Sequence, residues 1–173
     1  LAYEVCSLLK KANRNVELVT EVARRSPFPV NEATTLEGQL WILHAQIAAE
    51  LEATSRAPHV ICDRAALDNY CYLVHAAGPQ PGWETLLSVW LPSYDLLVKV
   101  PIWTTPRWDG VRDTDLAFQR DIDTLLDDHL QRRGLDVLRL AFADRQRWGD
   151  IVMARLEPLV RPQPTLVPEE NNA

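Results

Sequence analysis

The six residues His59-Val60-Ile61-Cys62-Asp63-Arg64 are followed at once by Ala65-Ala66-Leu67-Asp68. A run of apolar, β-branched residues opened by Ala57-Pro58 and closed by an acid-base pair before a helical pattern predicts a buried strand. Such a strand delivers two charges to its C-terminal edge, where open parallel sheets place ligands.

Outward from this strand, periodicity divides the chain into alternating elements. Residues 1–11 have helical spacing from the first residue, residues 16–20 alternate as a strand that finishes at Glu21, and Pro27-Phe28-Pro29 requires a loop. Thr34 or Thr35 caps a long helix to about Thr54, with Leu36, Leu40, Leu43, Ile47 and Leu51 on one face. Residues 67–77 and 83–91 are helices stopped by Gly78-Pro79 and Pro92. Residues 94–100 form a strand closed by Pro101. Residues 115–133 form a helix with the stripe Leu116, Ile122, Leu125, Leu126 and Leu130, ended by Gly134. Residues 137–140 make a short strand and residues 145–159 the last helix. Strands separated by helices describe a three-layer α/β domain over residues 1–160, a parallel sheet with helices on both faces. Residues 161–173 form a proline-rich tail expected to be disordered.

Composition narrows the function. The chain has 173 residues, 47% of them hydrophobic and 24% charged, which is ordinary for a globular domain, and no apolar run approaches the roughly 18 to 20 residues of a membrane span. The expected location is the cytoplasm, away from membranes. Cys6, Cys62 and Cys71 show no paired spacing and read as reduced core thiols. The four histidines make no zinc spacing, and no Gly-x-Ser-x-Gly elbow appears. A net charge of -6 argues against a nucleic-acid partner, because phosphate backbones need a basic stripe. A small anionic ligand held by a few local arginines is compatible with this charge. Oligomeric state stays open.

In this order the elements resemble the P-loop kinases, in particular the nicotinamide riboside kinase and deoxynucleoside kinase group and related AAA-type ATP-binding proteins. The resemblance spans residues 1–159 and rests on short motifs. In that family a first strand and a glycine-rich loop ending in Gly-Lys-Ser/Thr lead into a helix similar to residues 1–11. That strand and loop are absent here, so the chain is expected to be a piece beginning inside a helix and inactive by itself. The resemblance implies ATP and Mg2+ as cofactors and a small phosphate acceptor as substrate. Glu21 stands where such kinases place the carboxylate that takes the hydroxyl proton, with Arg24 one turn on as a substrate contact. Asp63 and Arg64 are similar to the pair whose acid reaches the magnesium shell, through water, and whose arginine orients the substrate oxygen. Asp63 could instead cap the next helix. Trp108-Asp109-Gly110-Val111-Arg112-Asp113, followed by Arg120, resembles the lid over ATP, with Arg112 and Arg120, and more weakly Arg107, as its arginines. Trp41, His44 and Tyr70 lie on elements that form the substrate pocket in this group, although aromatic residues at helical spacing also fit a core.

Three functions follow as expectations: an ATP-dependent phosphotransferase on a nucleoside-like hydroxyl, a P-loop ATPase or regulatory module without kinase activity, and a loop-less scaffold. The family's missing strand is its central one. Residues 16–20 are therefore expected to pair with residues 60–62, and residues 97–100 with residues 137–140, with a gap between the two halves.

Overall fold

A computed structural model describes residues 1–102 and 115–160. In chain order it contains α1 (Ala2–Lys11), β1 (Val16–Val19), α2 (Leu36–Arg56), β2 (His59–Cys62), α3 (Ala66–Ala77), α4 (Pro81–Trp90), β3 (Leu97–Lys99), α5 (Leu116–Arg132), β4 (Val137–Arg139) and α6 (Trp148–Leu156), with short 3-10 turns between several of them. The fold is mixed α/β. Arg107 and Arg112 of the expected lid, and the tail 161–173, lie outside the described residues.

β1 pairs with β2 in parallel, Val16 opposite His59 and Val19 opposite Cys62. β3 pairs with β4 in parallel, Leu97 opposite Val137 and Lys99 opposite Arg139. Both pairings agree with the expectation from sequence. Among the described residues no ladder joins the two, so the strands form two small sheets with the expected gap between the halves, and one continuous three-layer sheet is not formed. Tyr94, ahead of β3, accepts a hydrogen bond from the backbone of Ala66, just past β2, so β2 and β3 are the strands that border the interval. Asp63 N–H reaches Val19 C=O at 2.8 Å and Leu140 N–H reaches Lys99 C=O at 3.0 Å. By parallel alternation the backbone groups of Val60, Cys62 and Val98 then turn into the interval.

Helices cover both faces of these strands. On one side Leu18, Ile61, Val98 and Leu138 pack against a core of Val5, Leu9, Trp148 and Val152 from α1 and α6. On the other, Leu97 and Val137 pack against Leu43, Tyr70, Leu73 and Leu87 from α2, α3 and α4. Each fully buried leucine there is worth about 1.5 to 3 kcal/mol over its exposed state. Gly149 of α6 lies against the Glu4 side chain of α1, whose flexible carboxylate end would stand 2.5 Å from a Cβ at that position.

Thr35 caps α2 as expected, its side chain accepting from Gly38 N–H at 3.2 Å. The buried face of that helix differs from the one read from its leucines. Leu36 and Leu51 are exposed, at 36% and 55%. The interior stripe is Gln39, Ile42, Leu43, Gln46, Glu50 and Ala53, which has clean helical spacing but contains three polar residues. A stripe sought by apolarity alone is rotated away from it. On α5 the expected stripe largely holds: Ile122 and Leu130 are buried and Leu125 and Leu126 pack against the cores, joined by buried Phe118 and His129.

Candidate active site

The C-terminal ends of β1 and β2 converge on one cluster of charges. Glu21 opens a 3-10 turn over Val22–Arg25. That turn folds Arg24 back, so its Nε donates to Glu21 Oε2 at 2.9 Å. Beyond β2, Arg64 takes φ +106°, a region costly for a side chain with a Cβ. In that conformation its Nε donates to Glu21 Oε1 at 3.4 Å, and a second guanidinium nitrogen lies 3.6 Å from Asp68 Oδ1. Its guanidinium carbon stands 5.8 Å from the ring centroid of Tyr72. Glu21 is 18% exposed and Arg64 36%, so the pair is sheltered but reachable from solvent.

Asp68 also accepts from the backbone N–H of Ala65 at 3.0 Å, which satisfies the start of α3. The capping role open to Asp63 in the sequence is thus filled by Asp68. The Asp63 carboxylate has no hydrogen-bond or ion-pair partner among the described residues. Close packing by itself pushes the Arg64 guanidinium down, but Tyr72, Asp68, Glu21 and Asp63 outweigh it and hold the proton more firmly than in free arginine. Burial raises the Tyr72 hydroxyl, and Arg64 partly offsets that rise.

The other candidates lie elsewhere. Trp41 and His44 line a shallow surface depression on α2 with Leu40, Ala45 and Ala48, and His44 meets the edge of Trp83 at 6.3 Å. At about 100° per residue they project about 140° and 160° away from Gln46, whose amide touches the Arg64 carbonyl. Tyr70 is wholly buried, its hydroxyl donating to Glu84 and accepting from Gln80 N–H. Arg120 sits exposed on α5. Tyr72 was missed from sequence. The signal was present in the four-residue spacing from Asp68, which puts the two about 40° apart on α3, whereas Tyr70 is about 160° from Asp68.

A family model for the AAA domain matches residues 6–147, a span that includes Glu21, Asp63, Arg64, Asp68 and Tyr72. The chain belongs to the AAA domain family. No curated protein matches it. AAA domains of this P-loop class are nucleotide-binding and typically take Mg2+ with the nucleotide. The match does not single out nicotinamide riboside or deoxynucleoside kinases. In this AAA domain the unpaired Asp63 suits Mg2+, which commonly takes one or two carboxylates and completes its shell with phosphate and water. No group of three or more His, Cys, Asp or Glu side chains gathers to hold a metal among the described residues. The 173 residues contain no Gly-Lys-Ser or Gly-Lys-Thr. No helix among the described residues is long and apolar enough to cross a membrane.

Proposed function

We propose that the protein transfers a phosphoryl group from ATP to a hydroxyl of a small, nucleoside-like acceptor. The observation that carries this reading is the meeting of Glu21 and Arg64 at the ends of paired parallel strands, beside Asp63, whose carboxylate carries no hydrogen bond among the described residues. Asp63 would hold Mg2+ through water. Bound Mg-ATP supplies the phosphoryl group and neutralises its charge. Glu21 takes the proton of the acceptor hydroxyl, Arg64 orients the acceptor oxygen, and Arg24 contacts the acceptor. The Tyr72 ring centroid stands 5.8 Å from the Arg64 guanidinium at this point. Trp41 and His44, turned from Arg64, and Tyr70, closed in the core, have no part in it. Arg112 and Arg120 act over the phosphates in the same reading. A strand carrying a phosphate loop would occupy the interval between β2 and β3 and join the four strands into one three-layer sheet.

One observation favours the second reading, an ATPase or regulatory module. Both Glu21 oxygens accept from an arginine in this structure, so the carboxylate is already engaged in ion pairs that tie the strand ends together before any acceptor arrives. Incubation with γ-labelled ATP, Mg2+ and a panel of nucleosides separates the two. Label on a nucleoside supports phosphotransfer; label only in inorganic phosphate supports the ATPase. The 173 residues alone are expected to show neither, for want of a Gly-Lys phosphate contact.

A further inference from the structure

Behind Arg64 lies a buried carboxylate with four donor contacts and no cation. Glu50, on α2, is 4% exposed. Gln46 Nε2 donates to its Oε1 at 2.8 Å, Trp90 Nε1 donates to its Oε2 at 2.8 Å, and the Tyr94 hydroxyl lies 3.0 and 2.9 Å from its two oxygens. No salt bridge reaches it among the described residues. A buried acid in this setting is retained at a large desolvation cost, which its donors must offset.

Two of those donors have a second partner, and both lead to the same turn. Gln46 Nε2 also donates to the Arg64 carbonyl at 3.1 Å, and the Tyr94 oxygen accepts the Ala66 N–H at 2.9 Å. With both of its bonds made to acceptors, the Gln46 amide has one orientation, nitrogen toward Glu50 and Arg64. The Tyr94 proton goes to Glu50, which leaves its lone pairs for Ala66. Glu50 thus fixes the direction of two groups that grip the backbone on both sides of Ala65. Between these grips Arg64 holds φ +106°, a conformation that persists only when its surroundings enforce it.

We infer that Glu50, acting through Gln46 and Tyr94, is a positioning residue that clamps the turn at Arg64 and so aims its guanidinium at Glu21 and Asp68. The clamp touches neither Glu21 nor Asp68. Its consequence for turnover rests on the phosphotransfer reading; its consequence for geometry does not.

The test uses Tyr94→Phe, which removes the hydroxyl and keeps the ring, and Glu50→Gln, which keeps the shape and removes the charge. Trp90→Phe is the control, because it takes a donor from Glu50 and a neighbour from the Tyr94 hydroxyl while leaving both bonds to the turn, from Gln46 and to Tyr94, in place. In the purified protein, the Arg64 side-chain Nε–Hε resonance and backbone amide exchange are measured by NMR. In both test variants Ala66 N–H is expected to exchange at least about 10-fold faster, and the Arg64 signal to move to the position of a solvent-exposed arginine. Amides of Ile61 and Asp63, facing β1, should keep their rates. Trp90→Phe should leave the Arg64 signal unchanged. An Arg64 signal that stays in place in Tyr94→Phe and Glu50→Gln, or moves equally in Trp90→Phe, overturns the inference, as does a uniform rise in exchange across the ladder. Absence of phosphotransfer in a protein that also carries a phosphate loop would remove the functional reading and leave this measurement intact.

Discussion

Arg64 Nε and Glu21 Oε1 stand 3.4 Å apart although 43 residues separate them in the chain. The contact ties the ends of β1 and β2 together, and Arg24 holds the opposite oxygen of the same carboxylate. Two guanidinium groups thus hold one acid in place at the ends of the paired strands.

Glu21→Gln is expected to lower phosphotransfer at least about 100-fold in a protein that carries out the reaction, with nucleotide affinity unchanged within about 2-fold. The substitution removes a proton acceptor and no phosphate contact. Turnover and nucleotide Kd measured side by side check it. Turnover equal to wild type would reject Glu21 as the base.

Arg64→Gly and Arg64→Ala lose the same ion pairs but differ in backbone strain. Relief of φ +106° should make the glycine variant more stable than the alanine variant by about 1 kcal/mol. Denaturant unfolding of the pair reads this difference directly, and equal midpoints would mean that the turn is unstrained.

The two tyrosines of α3 should separate stability from activity. Tyr70→Phe leaves Glu84 and the Gln80 N–H short of a buried partner and is expected to cost about 1 to 3 kcal/mol with turnover per folded molecule unchanged. Tyr72→Ala removes the ring beside Arg64 and should lower turnover. Reduced turnover in Tyr70→Phe at full folding, with none in Tyr72→Ala, would reverse the assignment.

Cys62, in β2, gives a pH signature. Burial, and then the neighbouring Glu50, push its thiol up from 9.0 to about 12. The folded state therefore keeps a proton that the unfolded state loses. Stability from this group is fully present below pH 9 and is lost as pH rises from about 9 to 12, at about 1.4 kcal/mol per pH unit for one thiol. Urea unfolding at pH 8 and pH 10.5 should show a smaller loss in Cys62→Ala than in wild type; identical losses would contradict it.

The strands bordering the interval should show their unpaired edges. Amides of Val60, Cys62 and Val98 are expected to exchange at least about 10-fold faster than those of Ile61 and Asp63, which face β1. Such edges also favour association of the chain with itself. Equal protection of all five amides would show that the interval is closed.

The order of elements and the cap at Thr35 were legible in the sequence, because they rest on local signals: alternation, a hydroxyl before a helix, and glycine after one. Both strand pairings were implied by the resemblance to the P-loop kinases and by no local signal. The placement of Glu21, Asp63 and Arg64 at strand ends was legible for the same reason, since a charged pair closing an apolar run has few other places to go. The buried face of α2 was not legible, because Gln39, Gln46 and Glu50 are interior through partners at Thr34, on α4, near β3 and in the Arg64 turn. Polarity alone places such residues outside. Tyr72 rather than Tyr70 at the charge cluster was decided by helix phase combined with the strained backbone of Arg64, and that backbone is held by contacts from residues far away in the chain. Sequence by itself determined which segments are helices and strands and which charges end them. The tertiary structure decided which of those charges meet, because a contact across 43 residues depends on the packing of α2 and α3 around one turn, and no local pattern encodes it.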